Sequence, residues 1–383
     1  MKILVITDHY RAYPENGSEV FCSELVNVLS SSHEIDVLAR AAANSDLPRW
    51  MIDDAVANDF EALGLFLAQN VDTTCYDLVY NLGGLIFGCR VVQMLQAFNP
   101  DLPLVNHYQA LLGPYAEAEG KNAREIEDHA ACQLQVAANA RLNIFISHAE
   151  HRAAVSSGMY LAGGGVWVIP NGLSFKDFDQ VRGDRSFLPP NMHDALVIAT
   201  AGRFSDSVKG ADLVYRAFAQ LAAENPEVFL ISIGNSDRFS LILREVPADR
   251  WLIEAWMSRQ QFLSTLAGAD LVVMPSRHEP FGLIALEALA LGVPVIANRV
   301  GGLAEFVRHG EFGMLNPPGD GSFGLYTAMR SLVSKRDRLA EMGRAGRAHV
   351  MDHYSISRIA ELVNAALQTA VGLGSPADQV NVG

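Results

Sequence analysis

Several things are scarce in this chain of 383 residues, and each shortage removes a class of protein. There are four cysteines, Cys22, Cys75, Cys89 and Cys132, with no C-x-x-C among them and none beyond residue 132. A disulfide framework or a structural zinc site needs more thiols at closer spacing, so reduced core thiols in a cytoplasmic protein are expected. No apolar run reaches the roughly 20 residues that span a bilayer. The N-terminal "MKILVITDHY" reads as a first strand, with no small-residue cleavage site behind it, so a signal peptide is not expected. Basic residues number 29 against 43 acidic, a formal net charge of −14. Residues 1–170 hold 20 acidic and 9 basic side chains and so carry −11 of it. Nucleic acid and anionic membrane surfaces both call for the opposite sign, so neither is an expected partner. There is no H-E-x-x-H, and His148 and His151 read as a wet helix start, so no metal requirement is expected. The first strand is not followed by G-x-G-x-x-G, and the "GGG" at 163–165 lacks a strand–helix setting, which argues against a dinucleotide-dependent dehydrogenase.

What is present is half hydrophobic and 19% charged, the balance of a globular protein. The length exceeds a usual single core and suggests two domains. Apolar runs at 2–7, 33–39, 76–82, 102–108, 141–147 and 165–170 alternate with helical segments such as 124–139. The pattern restarts at 195–202, 227–234, 250–256, 270–276 and 293–298. Near-continuous apolar strands separated by helices predict parallel sheets covered on both faces. The expected class is therefore α/β, with two Rossmann-like doubly wound domains facing a central cleft. The boundary falls at "PNGLSFKDFDQ", giving domains over 1–170 and 171–350. An amphipathic helix at 354–371 lies in the remaining 351–383, ahead of a frayed tail.

The segment "SRHEPFGLIALEALALGVPV", Ser276 to Val295, has two carboxylates eight residues apart, Glu279 and Glu287. Proline suits the first helical position, so a helix is predicted from Pro280. The amides of Phe281, Gly282 and Leu283 would then point out of its N-terminus, a ready anion site. Two carboxylates flanking it suit a ligand with hydroxyls on both sides of a phosphate, such as a nucleoside-diphosphate sugar.

This segment, with its E-x7-E pair, resembles the donor-binding region of GT-B retaining glycosyltransferases of family 4. "TAGRFSDSVKGADLVYRAF", "ISIGNSD", "IPNGLSF" and "FGMLNPPGD" resemble further elements of that family in the expected order, strongly over 195–320 and loosely over 1–150. The resemblance implies a GT-B fold: an N-terminal acceptor-binding domain, a C-terminal nucleotide-sugar domain, and a last helix that crosses back to the first. It implies that Arg203 and Lys209 neutralise the leaving diphosphate, so that neither a metal nor a cofactor is needed. Glu279 would accept from the sugar and Glu287 from the ribose, beside Gly202, Gly234, Pro280, Phe281, Gly282 and Leu283. His107 matches a histidine near the anomeric centre and 6-hydroxyl. Gly17 matches a glycine-rich loop that approaches the donor, although Asn16 replaces the usual first glycine. Asn81, Gly83 and Gly84 would line the acceptor side.

The expected activity is transfer of a sugar, with retention, from a nucleotide-sugar donor to an acceptor hydroxyl. UDP, the commonest donor nucleotide of the family, is the base taken. Two rivals stay open: a nucleotide-sugar epimerase or hydrolase on the same fold, and a non-catalytic nucleotide-sugar-binding subunit. The charge of −11 argues for a soluble acceptor. By extension it favours an amine-bearing small molecule of the kind found in antibiotic pathways.

Overall fold

The computed structural model describes residues 1–8, 17–40, 48–83, 86–111, 123–159, 161, 165–176, 178–203, 207–234 and 237–373. Asn16, Gly84, Gly163 and Gly164 lie outside them. Seven strands form the first sheet: β1 (Lys2–Thr7), β2 (Glu34–Arg40), β3 (Pro48–Ile52), β4 (Leu78–Gly83), β5 (Leu104–Tyr108), β6 (Leu142–Phe145) and β7 (Gly165–Val168). Six form the second: β8 (Leu196–Ala201), β9 (Val228–Ile233), β10 (Trp251–Glu254), β11 (Leu271–Met274), β12 (Val295–Asn298) and β13 (Gly313–Asn316).

The sheet orders are β3-β2-β1-β4-β5-β6-β7 and β10-β9-β8-β11-β12-β13, and the pairings in both are parallel. Helices cover both faces, which is why β8, reading LVIATA, is buried at every residue and shows no polar alternation. Two strands depart from the sequence reading. β3 and β13 lie outside the apolar runs identified in the sequence. Both are sheet edges, paired on one side only. β13 runs from Gly313 to Asn316, residue types that usually signal turns, and so hides its strand character.

The contacts divide the chain into two units, Met1–Leu173 with Ile356–Gly383, and Ser174–Ser355. The helix Ile356–Ala370 buries Ile356, Ile359, Ala360, Val363, Ala366 and Leu367, the i, i+3, i+4, i+7 stripe of an amphipathic helix. They join Phe21, Leu25, Val26 and Leu29 of the helix Gly17–Leu29 in one apolar cluster under β1 and β4. Of the four thiols, Cys22 and Cys89 are buried and Cys132 is half-buried, whereas Cys75 is exposed and so is not a core thiol. No helix among the described residues is long and apolar enough to cross a membrane.

Candidate active site

In the second sheet β8 is flanked by β9 on one side and β11 on the other, so the strand order reverses at β8. The carboxyl ends at such a switch point are where doubly wound sheets take their ligands. The candidate residues of this unit leave the sheet there. Gly202 and Arg203 follow β8, Gly234 follows β9, and the loop 275–282 follows β11.

The glycines are there for close approach. Gly234 has φ 116°, and a Cβ built on it would lie 2.1 Å from the Gly202 carbonyl oxygen. Its amide donates to the Glu254 carbonyl at 2.8 Å, and the Gly202 amide donates to Ile233 at 3.1 Å. A side chain at Gly234 would push these two strand ends apart. Arg203 is exposed beside them.

Lys209 ends a 3-10 turn, Ser207–Lys209, and Gly210 follows at φ 70°. That left-handed residue starts the helix Ala211–Glu224, and only a glycine fits, because a Cβ would lie 2.2 Å from the Pro275 carbonyl oxygen. The turn is thereby pressed against the loop after β11. The Lys209 ammonium donates to Glu279 Oε2 at 2.8 Å, and the Ser276 hydroxyl donates to the same oxygen at 3.0 Å. Both charged side chains are largely buried, at 14% and 10% exposure, so water screens the pair little. The loop backbone is fixed by Asn298, whose Nδ2 donates to the carbonyls of Pro275 at 2.8 Å and Ser276 at 3.1 Å.

The helix expected from Pro280 starts instead at Leu283, with Gly282 at φ 108° as the residue before it. A helix cannot contain a residue in that conformation. Residues 279–281 are held by the Gly301–Gly302 turn instead. The Gly302 amide donates to the Glu279 carbonyl at 3.1 Å, and a Cβ on Gly301 would lie 1.7 Å from that oxygen. Phe281 packs against Phe306 at 5.3 Å and Tyr354 at 6.2 Å, ring centre to ring centre. The amides left without intrahelical partners are then those of Leu283, Ile284 and Ala285 rather than Phe281, Gly282 and Leu283.

Glu287 is the fifth residue of the helix Leu283–Ala290 and is buried, at 1% exposure. It has a partner the sequence did not reveal. Arg259 Nη1 donates to its Oε1 at 2.5 Å, from the first turn of a helix started by a Ser258/Gln261 capping box. Burial raises the Glu287 pKa, and Arg259 opposes that shift without cancelling it. His278, also unremarked in the sequence, adjoins the Lys209–Glu279 pair. Burial lowers its pKa; Glu279 opposes the shift and Lys209 adds to it, so the ring is held neutral.

His107 and Gly17 belong to the first unit. His107 is on β5, fully buried, with its Nδ1 2.7 Å from the Tyr80 hydroxyl and its Nε2 without a hydrogen-bond partner. Gly17 opens the helix Gly17–Leu29, whose Phe21 meets the His107 ring edge-on at 6.1 Å. Asn81 is buried too and donates to Asn106 at 3.1 Å, in a carboxamide ladder that continues to Asn143. Among the described residues no group of three or more His, Cys, Asp or Glu is arranged to hold a metal ion. A D-x-D spacing occurs at Asp177–Asp179, in the segment that begins the second unit. Asp179 pairs with Arg347 at 2.5 Å, and Asp177 lies outside the described residues.

Residues 187–349 match the family model described as glycosyl transferases group 1. Over 164 residues the chain is 35% identical to the D-inositol 3-phosphate glycosyltransferase of Rhodococcus jostii (strain RHA1), covering 40% of this chain and 36% of that protein. The chain spans about two fifths of the length of the curated relatives it matches. Among solved structures, the sucrose-phosphate synthase of Thermosynechococcus elongatus superposes with a TM-score of 0.76 at 22% identity, covering 97% of this chain and 99% of that one. Anabaena HepE in complex with UDP and glucose gives 0.75 at 21%, covering 96% and 100%. The two doubly wound parallel sheets are thus a GT-B fold.

Proposed function

We propose that this chain is a retaining glycosyltransferase that moves a sugar from a UDP-linked donor to a hydroxyl of a soluble acceptor, without a catalytic metal. The observation that carries the reading is the Lys209–Glu279–Ser276 arrangement at the switch point of the second sheet. A cation with three N–H donors stands there beside a carboxylate that only accepts, at a sheet end suited to a nucleotide. It is supported by the match of residues 187–349 and by the UDP and UDP-glucose bound to HepE, a protein of the same fold.

The chemistry follows from charge. As the bond between the anomeric carbon and the phosphate oxygen breaks, negative charge grows on the diphosphate. Lys209 and Arg203 neutralise it, Arg as a planar fork and Lys as a point charge, with the helix Leu283–Ala290 adding its positive end. Lys209 is preorganised for this by Glu279. Glu279 Oε2 is occupied by Lys209 and Ser276, so Oε1 is the oxygen that accepts from the sugar hydroxyls. Glu287, oriented by Arg259, accepts from the ribose. The acceptor oxygen bonds to the anomeric carbon on the face the phosphate leaves, and its proton passes to the departing phosphate oxygen. The excess of acidic residues over 1–170 favours a soluble acceptor and disfavours docking on anionic lipid.

A thermal-shift screen of UDP, GDP and ADP tests the donor, since a ligand held at 100 times its Kd stabilises by about 2.7 kcal/mol. UDP is expected to give the largest shift, and no shift with any of the three would sink the reading. Flotation with anionic liposomes at low salt tests the acceptor class. Substantial co-flotation would overturn the soluble-acceptor assignment.

A further inference from the structure

We infer that Arg277 is a positioning residue for Lys209, holding the lysine turn at the depth from which its ammonium reaches a donor diphosphate. The inference rests on the donor reading above and assigns a role to a residue with no place in the E-x7-E, Arg or Lys motifs.

Arg277 grips the turn from three sides. Its backbone amide donates to the Val208 carbonyl at 2.7 Å. Its Nη1 donates to the Ser207 carbonyl at 2.8 Å. The guanidinium also holds Asp212 in a two-pronged pair, Nη1 to Oδ1 at 2.8 Å and Nη2 to Oδ2 at 2.7 Å. Asp212 lies in the first turn of the helix Ala211–Glu224, directly after Gly210. The fork therefore ties together the residues on both sides of Lys209, 207–208 before it and 212 after it. Its own backbone belongs to the loop that presents Ser276 and Glu279.

This is more than a surface ion pair. An isolated exposed pair contributes little, and Arg277 is 42% exposed. Its effect here is geometric: one planar group satisfies a carbonyl and both oxygens of a carboxylate, and a lysine cannot reproduce that fork. The 3-10 turn is only three residues long. Without the fork its carbonyl at Ser207 loses a charged donor, and Lys209 keeps only the Glu279 contact to fix its direction. Arg277 itself points at Asp212 and Ser207, so it acts through the lysine.

The test uses the full chain and compares UDP with uridine by calorimetry, in wild type, Arg277→Ala, Arg277→Lys and Asp212→Asn. The diphosphate increment, UDP over uridine, isolates what Lys209 contributes. Losing one charge-assisted hydrogen bond weakens binding about tenfold. UDP affinity is therefore expected to fall about that far in Arg277→Ala and Asp212→Asn alike, with uridine within about twofold of wild type. Arg277→Lys keeps the charge but not the fork, and should recover only a minor part. Full UDP affinity in Arg277→Ala overturns the inference. So does a normal Asp212→Asn beside a defective Arg277→Ala, which would mean that Arg277 meets the ligand directly. A parallel fall in UDP and uridine also overturns it, as the mark of a general folding lesion. Wild type that binds none of UDP, GDP or ADP refutes the donor reading itself, a separate result.

Discussion

Acidification should expose His107 as a stability determinant of the first unit. The ring is fully buried, and burial lowers its pKa from 6.5 to about 3. The unfolded chain therefore begins to bind a proton below pH 6.5 while the folded chain does not. Stability from this group is complete above pH 6.5 and falls as pH drops toward 3. At pH 5 the gap is about 1.5 pH units, a loss of about 2 kcal/mol. Asp8, at the end of β1, works in the other direction. Burial raises its carboxyl to about 6, partly offset by the Gly88 amide that donates to it. The folded state then takes up that proton before the unfolded one does, adding about 1.3 kcal/mol between pH 7 and 5. The two effects partly cancel in the wild-type protein, so the His107 contribution must be read as a difference. Hydrogen exchange of the β4 and β5 amides at pH 7 and 5, corrected for intrinsic rates, gives the opening free energy of this unit. His107→Gln should lose about 2 kcal/mol less than wild type on going to pH 5. Equal pH dependence in the two proteins would refute the burial argument.

Three further outcomes are expected. Lys209→Ala should lower kcat by about 10²–10³-fold on whichever donor the thermal-shift screen selects, as removal of a preorganised charge partner does; turnover within threefold of wild type would show that the role is wrong. Gly301→Ala, which places a Cβ 1.7 Å from the Glu279 carbonyl oxygen at φ 50°, should cost about 2–4 kcal/mol in urea melts, whereas Gly310→Ala, where a Cβ meets nothing within 4 Å, serves as the left-handed control for strain alone. Arg259→Leu strips a buried carboxyl of its cationic partner, a loss of about 3–5 kcal/mol where the carboxyl is ionised; because burial already raises the Glu287 pKa, the loss should shrink as pH falls and the carboxyl takes a proton, and a deficit that does not shrink on acidification would count against the pair.

The central strands were readable because both faces of each are buried, which leaves a continuous apolar run such as LVIATA in β8. The edges were not. β3 and β13 pair on one side only, and their residues include Pro48, Gly313 and Asn316, which usually mark turns. The helix start was displaced by three residues for a related reason. Pro280 is a sound local signal, but the Gly301–Gly302 turn, some twenty residues on, overrides it by taking the Glu279 carbonyl. The E-x7-E and the Arg203, Lys209 spacing could be read as motifs, and their partners could not. Nothing in the sequence pairs Glu287 with Arg259 or Arg277 with Asp212, since those contacts arise only when separate β-to-helix connections meet at one end of the sheet.

The return of the last helix has a consequence for how the protein is made. The apolar stripe of Ile356–Ala370 fills the core beneath β1 and β4, and the Ile356 amide donates to the Leu173 carbonyl at 2.9 Å. During synthesis the first 173 residues leave the ribosome with that side of their sheet uncovered. They must wait while the whole second unit, Ser174–Ser355, is translated. The unit made first is thus completed last, and its apolar face stays open to aggregation or to chaperones for that interval. A premature stop near residue 355 would leave the second unit whole and deprive the first of part of its core, so the damage would appear at the opposite end of the chain from the lesion.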